Sequence, residues 1–340
     1  MKAAHWRYAS IMAALLLVLL ALMLAGVAVG STALPVQQIL QALGLPMAQD
    51  AAAQPLQPMV ERIIIDLRLP RVLLAVMTGA GLAMVGALLQ TTTRNDLADP
   101  FLFGLSSGAS AGAVLVITKL GDQLGGWALP LAAFAGGVVS AALVMLLYMQ
   151  QRSRGTERII ISGLAISFLF GAITNYLVFA GDQRAASSIL FWSLGGLGLA
   201  AWGNLWLAVA AILLLAGFAA MRWRALDALL GGEQTAISLG INLTRLRVEV
   251  FLCCAFATSA LVALTGVIGF IGLMVPHLVR PLCGVRHRAL LPMTALAGAV
   301  LLMSGDLLSR TLLAPQELPI GIITAGLGGF FVLGILFKRD

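Results

Sequence analysis

The sequence has few charged residues. Asp, Glu, Lys and Arg together make up 10% of its 340 residues, whereas 60% of the residues are apolar. Soluble domains carry about 25% charged residues, so this chain has too few polar side chains to cover a surface in water. The composition excludes an ordinary soluble domain and predicts a polytopic membrane protein.

Catalytic motifs are also absent. The sequence has no Gly-x-x-x-x-Gly-Lys-Ser/Thr loop for nucleotide phosphates, and its lysines stand only at positions 2, 119 and 338. No pair of histidines has metal-ligand spacing, and neither do Cys253, Cys254 and Cys283. We expect these cysteines to be buried small apolar residues. We expect no catalytic residue, no metal site and no cofactor in this chain, so a separate ATPase would bind any ATP and Mg²⁺.

Apolar segments of bilayer-spanning length recur along the whole chain. They predict an all-α fold, a polytopic bundle of about ten transmembrane helices within a single domain, residues 1–340. The first segment has 22 residues, longer than the apolar region of a signal peptide, about 7–15 residues, so we interpret it as a span. The predicted spans are Ala9–Gly30, Pro70–Leu89, Phe101–Thr118, Trp127–Met149, Ile159–Ala180, Asn204–Met221, Val248–Phe270, Gly272–Cys283, Leu290–Leu308 and Pro319–Phe337.

The basic residues predict the orientation. The net charge of +7 comes mostly from arginines scattered singly between apolar segments, a pattern that does not indicate nucleic-acid binding. With ten spans and both termini in the cytoplasm, 15 basic residues lie inside and six outside, as the positive-inside rule requires. Three of the six outer residues, Arg68, Arg71 and Arg310, stand at the ends of predicted spans.

Two longer hydrophilic stretches interrupt the spans. Residues 31–69 would lie outside, with a short helix along the surface. Residues 222–247 would lie inside, where two short helical patterns, Ala225–Leu230 and Glu233–Leu239, flank the helix-breaking pair Gly231–Gly232. This inner stretch is either a plain connecting loop or a docking surface, and its apolar side chains favour docking.

Ionisable residues inside a membrane are costly and usually functional. Asp306 and Arg310 are four residues apart and can pair on one helical face, and Glu249 lies near Arg245 and Arg247. A proton- or ion-coupled carrier needs a relay at mid-bilayer, and Asp306 is the one carboxylate predicted to be deep. We interpret the Asp306–Arg310 pair as structural, with the ion-coupled carrier and a structural membrane subunit kept as alternatives.

Six blocks of the sequence form a recognisable series of motifs. They are, in order, Arg68-Leu-Pro-Arg71, Arg94-Asn-Asp-Leu-Ala-Asp-Pro100, Gly104-Leu-Ser-Ser-Gly108, Gly232-Glu-Gln-Thr-Ala-Ile-Ser-Leu-Gly240, Gly266-Val-Ile-Gly-Phe-Ile-Gly-Leu-Met-Val-Pro-His-Leu-Val-Arg280 and Glu317-Leu-Pro-Ile-Gly-Ile-Ile-Thr324. Together these blocks resemble the FecCD-type permeases of ATP-binding-cassette (ABC) importers for ferric siderophores, haem and cobalamin. Asp96 departs from the family's usual Pro, and Gly329 stands where a Pro often follows Gly328.

The resemblance implies a homodimeric permease in the bacterial inner membrane with its pathway between the subunits. Two ATPase subunits would bind on the cytoplasmic side, a periplasmic binding protein would deliver cargo outside, and lipid would surround the dimer. The implied roles are as follows: ATPase coupling, Leu226, Leu229, Glu233, Ala236, Leu239 and Gly240; cytoplasmic gate, Asn95, Leu97, Thr156 and Glu157; pathway lining, Ser167, Thr174 and Asn175; binding-protein docking, Arg68, Arg71 and Arg310.

The cargo is left open by the sequence. We expect an iron chelate, haem or ferric siderophore, with cobalamin as the alternative. His277 and His287 could suggest haem ligation, but both lie in or beside the short eighth segment, where we expect hydrogen bonds within a helix end and loop.

Overall fold

The computed structural model describes residues 2–30, 34–44, 57–120, 125–150 and 156–337, with side chains described from residue 6 and, after the fourth gap, from residue 157. No strand occurs among these residues. The helices are α1 (Lys2–Ala28), α2 (Val36–Ala42), α3 (Pro58–Arg62), a π-helical stretch (Ile63–Arg68), α4 (Leu69–Thr93), a 3₁₀ turn (Pro100–Phe103), α5 (Leu105–Lys119), α6 (Ala128–Gln150), α7 (Thr156–Phe179), α8 (Gln183–Ser193), α9 (Leu205–Leu230), α10 (Glu233–Ser238), α11 (Leu243–Thr265), α12 (Ile271–Cys283), α13 (His287–Thr311) and α14 (Ile320–Phe337).

The predicted all-α membrane fold is confirmed. Within the described part of the chain, eight helices are long and apolar enough to cross a membrane, namely α1, α4, α6, α7, α9, α11, α13 and α14. The two remaining predicted spans correspond to shorter apolar helices, α5 with 15 residues and α12 with 13. Both follow a residue with a left-handed backbone, Gly104 (φ 77°) and Phe270 (φ 68°). The count of ten spans and the orientation stay predictions.

The core lies around α4 and α11, the two long helices with the largest share of buried residues. Glycines let neighbouring backbones touch, because a Cβ on Gly79 would overlap the Gly298 carbonyl and one on Gly108 would overlap that of Gly136. Small residues at such contacts are the usual means of packing helices in lipid. The opposite extreme is α1, α7 and α14, which have the smallest shares of buried residues among the long helices in the single chain.

Two further predictions concern α2 and the cysteines. A short helix does occupy part of the first hydrophilic stretch, at Val36–Ala42, with Ile39 buried. Residues 31–33 and 45–56 of this stretch lie outside the described residues. Cys253 and Cys254 are buried in α11 and Cys283 is half-buried, with all three as free thiols.

Candidate functional site

The three arginines predicted to dock a binding protein lie together at one end of the bundle, but they are bound within the chain. Arg68 and Arg310 are buried. The Arg68 Nη1 donates to the carbonyls of Val27 (2.7 Å) and Ala28 (2.9 Å). The Arg310 Nη1 donates to the carbonyls of Gly26 and Val29, both at 2.9 Å. These two guanidinium groups thus satisfy the last carbonyls of α1, where a helix leaves acceptors without partners and carries a partial negative charge.

Asp306 joins the same cluster from α13. Its Oδ2 lies 2.6 Å from the Arg310 Nη2, so the pair predicted from the four-residue spacing is confirmed. Its Oδ1 lies 2.9 Å from the Arg71 Nη2 and accepts a hydrogen bond from the Arg71 Nε at 3.0 Å. Arg71 extends outward to Glu317 at 2.7 Å, and the Glu317 side chain is 49% exposed. Only the Arg71–Glu317 end of this cluster is accessible, so docking by Arg68 and Arg310 would require a change of conformation.

The inner hydrophilic stretch forms the opposite end of the bundle. Helix α9 continues to Leu230, and α10 follows the Gly231–Gly232 break, where Gly232 adopts φ 100°. The six predicted coupling residues divide by exposure: Leu226, Leu229 and Ala236 are buried, Glu233 is half-buried, and Leu239 and Gly240 are exposed.

The three buried residues require a correction to the predicted surface. Leu226, Leu229 and Ala236 belong to the hydrophobic core, because one face of α9 and α10 packs on the bundle. A partner can reach the other face, where Ile237 is 53% and Leu239 68% exposed. The ATPase-docking role itself stays a prediction.

Ion pairs hold the coupling segment, defined as residues 222–240 at the end of α9 and in α10, to α11. The Arg247 Nη2 lies 2.6 Å from the Glu233 Oε1. Glu249 pairs with Arg245 at 2.9 Å, as its position in the sequence suggested, and also with Arg222 of α9 at 2.8 Å. Arg247, the other predicted neighbour of Glu249, pairs with Glu233 instead. Glu233 is therefore a residue that fixes α10 in place.

The predicted gate loop follows α4. Arg94 ends the helix with φ 51°, and the Asn95 Oδ1 accepts a hydrogen bond from the Leu97 N–H at 2.9 Å. Asp96, the departure from the family pattern, pairs with Arg280 of α12 at 2.8 Å. Leu97 is 51% exposed. The other two predicted gate residues begin α7, where Glu157 is exposed and the Thr156 side chain lies outside the described residues.

Asp99 is a functional candidate that the sequence reasoning missed. It is buried, and its Oδ1 accepts a hydrogen bond from the Phe101 N–H at 2.9 Å, which caps the 3₁₀ turn. Burial raises the pKa of Asp99 to about 6, and the backbone N–H groups of Phe101 and Leu273 offset part of that rise.

A cavity of about 680 Å³ opens beside the gate loop. Its wall combines Leu97 and Asp99 with the Gly269–Phe270 turn and the first turns of α14. Besides Ser193 and Gly321, the other lining residues have apolar side chains: Phe101, Leu102, Leu194, Val267, Leu273, Ile322 and Ala325. Three of the quoted sequence blocks meet here, which is the signal that could have identified this wall from the sequence.

The predicted pathway residues of α7 are not in that wall. Ser167 is half-buried near Gly104, where a Cβ on the glycine would lie 3.4 Å from the Ser167 Oγ. The Thr174 hydroxyl donates to the Phe170 carbonyl of its own helix at 2.8 Å, and Asn175 is exposed. Their lining role stays a prediction for an assembly with more than one subunit.

The two histidines beside the eighth span make internal contacts. His277 lies against Phe331 of α14, with ring centroids 5.4 Å apart. His287 is buried, and both of its ring nitrogens lie within hydrogen-bond distance of other side chains, Asp227 and Thr91. Among the residues the structure describes, no group of three or more His, Cys, Asp and Glu side chains could hold a metal ion.

The profile of the FecCD transport family matches residues 15–338. The chain belongs to this family and is an ABC importer permease. It is 39% identical over 280 residues to the hemin transport system permease protein HmuU of Yersinia pestis, covering 82% of this chain and 84% of that protein. It is 36% identical over 279 residues to the vitamin B12 import system permease protein BtuC of Salmonella typhi, again covering 82% and 84%.

A solved structure supports the same assignment. A metal-chelate type ABC transporter in an inward-facing conformation superposes with a TM-score of 0.81, at 30% identity, over 97% of this chain and 99% of that one. The PsaBC complex of Streptococcus pneumoniae superposes with a TM-score of 0.55 at 13% identity, a likeness of fold alone.

Proposed function

We propose that this permease is the translocation subunit of an ATP-driven importer in the bacterial inner membrane, and that its cargo is an iron chelate, haem or a ferric siderophore. The observation that carries the proposal is the cavity of about 680 Å³ between the gate loop and α14. Its wall is assembled from three of the blocks that mark the family.

The chemistry of this wall supports a cargo that stays inside its chelate. Its lining is mainly apolar, and within the described ranges no side-chain cluster suits a metal ion. A wall of this kind would let a large complex pass without competing for its metal. The same reasoning fits cobalamin, whose cobalt is also held by the ligand, and the BtuC relatives keep cobalamin as the second candidate.

The exposed faces support the proposed partners. Helices α7 and α14 leave long apolar faces uncovered in the single chain, and a second copy would cover part of them and close the pathway. Ile237 and Leu239 of the coupling segment would contact an ATPase subunit. The accessible end of the outer cluster, Arg71 with Glu317, would receive the periplasmic binding protein.

A cargo panel tests this proposal. The permease, its ATPase and its binding protein are reconstituted in liposomes, and ATP-dependent accumulation of haem, a ferric siderophore and cyanocobalamin is compared at equal concentration. We expect one of the two iron chelates to accumulate in preference. Accumulation of cyanocobalamin alone would move the assignment to the second candidate.

A further inference from the structure

His287 joins three helices at the end of the bundle that carries the coupling segment. The ring Nδ1 lies 2.7 Å from the Asp227 Oδ1 of α9, and the ring Nε2 lies 2.8 Å from the Thr91 Oγ1 of α4. The His287 backbone N–H also donates to the Asp227 Oδ1 at 2.7 Å. His287 is 1% exposed and Thr91 8%, so the bond between them is shielded from water, whereas the Asp227 side chain is 21% exposed.

Counting donors assigns the protons. A carboxylate only accepts, so the Asp227–Nδ1 contact requires a proton on Nδ1. On a neutral ring Nε2 is then an acceptor, and the Thr91 hydroxyl shares its one proton between Nε2 at 2.8 Å and the Ala87 carbonyl of its own helix at 3.0 Å. The imidazole thus connects α9 to α4 through one continuous chain of hydrogen bonds.

The Asp227 arm of this chain ends beside the coupling segment. Asp227 lies three residues before Leu230, the last residue of α9, and α10 begins after two glycines. The ion pair between Glu233 and Arg247 holds α10 against α11. The corner between α9 and α10 is therefore tied at both ends, by the Asp227–His287 bond and by the Glu233–Arg247 ion pair.

The Thr91 arm ends beside the gate loop. Thr91 lies in the last turn of α4, directly after Gln90. The Gln90 carbonyl accepts a hydrogen bond from the Asn95 N–H of the gate loop at 3.2 Å. The Gln90 side chain donates to the carbonyls of Gly272 and Leu273, at 3.1 and 3.2 Å. The end of α4 is therefore bonded to two segments of the cavity wall, the gate loop and the start of α12.

We propose that His287 is a positioning residue that couples the α9–α10 corner to the gate loop, so that movement of the ATPase-docking segment reaches the pathway. The statement that movement starts at the ATPase-docking segment rests on the proposed function. The linkage itself is a property of the folded permease. The linkage acts in both directions, because coupling between two sites is reciprocal.

Thr91→Val is the decisive change, and Thr92→Val is its matched control. Both threonines are buried, and both hydroxyls lie within hydrogen-bond distance of a carbonyl of their own helix, Thr91 at 3.0 Å from Ala87 and Thr92 at 2.7 Å from Leu88. Of the two, Thr91 contacts a side chain of another helix, that of His287 in α13. Any loss that appears in Thr91→Val and not in Thr92→Val therefore belongs to the His287 bond.

The first readout is the ratio of cargo imported to ATP hydrolysed in proteoliposomes. We expect about a five-fold or larger fall in this ratio for Thr91→Val, the lower end of usual coupling energies, and no such fall for Thr92→Val. Asp227→Ala should also lower the ratio. Asp227→Asn keeps an acceptor oxygen and should restore most of it, which a role in bulk packing alone would not require.

The second readout needs neither ATP nor cargo, so it separates this inference from the proposed function. Amide hydrogen exchange of the full-length permease in nanodiscs is followed in residues 95–99 and 233–238. We expect Asp227→Ala to speed exchange in the gate loop and Thr91→Val to speed it in α10, with Thr92→Val unchanged. If exchange in the distant segment equals that of the wild type in both variants, His287 does not couple the two sites. A wild type that imports nothing with its ATPase would instead refute the proposed function.

Discussion

The Arg310 Nη2 and the Asp306 Oδ2 lie 2.6 Å apart in a buried pair near the C-terminal end of α13, and the same guanidinium group binds carbonyls at the end of α1. Removing one partner of a buried pair is costly because it leaves the other charge uncompensated. Asp306→Asn should therefore lower the free energy of unfolding by about 3–5 kcal/mol. Thermal unfolding in detergent measures the loss. Asp66→Asn at an exposed position is the control, and equal melting temperatures for the two variants would contradict the structural role.

Arg71 and Glu317 give a test of binding-protein docking. Glu317 competes for the guanidinium group that a carboxylate of the binding protein would use. Arg71→Ala should slow association with the binding protein, whereas Glu317→Gln should leave it unchanged or faster. The wild-type association rate should fall as salt rises, because such contacts steer the encounter. Surface plasmon resonance on nanodiscs gives these rates, and normal association by Arg71→Ala at low and high salt would remove Arg71 from the docking surface.

Leu239 tests the revised coupling surface. At 68% exposure it can be changed without disturbing the core, whereas a substitution of Glu233 would also break its ion pair with Arg247. Leu239→Asp should reduce co-purification of the ATPase, because an unpaired charge in an apolar interface costs several kcal/mol. The control is Leu312→Asp, because Leu312 is 58% exposed and directly follows the C-terminal end of α13, away from the coupling segment. Retention of the ATPase by Leu239→Asp would place the interface elsewhere.

Asp99 predicts a pH dependence. Its pKa is raised to about 6, so the folded state binds this proton more tightly than the unfolded state does. Its contribution to stability is present at low pH and decreases as the pH rises from about 4 to about 6. Asp99→Asn keeps the acceptor for the Phe101 N–H and should remove this slope. Melting temperatures of both proteins across this range provide the test, and parallel curves would show that Asp99 does not titrate there.

The sequence predicted most of the fold, because apolar length is a local property of the chain. The apolar segments of the sequence correspond to ten helices of the structure, eight of them long enough to cross a membrane, and the four-residue spacing predicted the Asp306–Arg310 pair. The partners of Arg68 could not be predicted, since the end of α1 reaches it only in the packed bundle.

The candidate site was harder to predict for a related reason. Leu226 and Leu229 share one helical face, but a sequence does not tell whether that face meets the core or a partner. The packing of α9 places them in the core. The cavity wall joins segments more than 160 residues apart, from Asp99 to Phe270, and only the family blocks marked these segments together.

ATP-driven uptake by purified components tests the central claim most directly. The permease is reconstituted with its ATPase inside liposomes that hold ATP, and the loaded binding protein is added outside. Accumulation of the chelate should require ATP, fall to background with an ATPase variant that cannot hydrolyse it, and persist when a protonophore collapses the proton gradient. Uptake that survives without ATP hydrolysis and stops with the protonophore would contradict the account and identify an ion-coupled carrier.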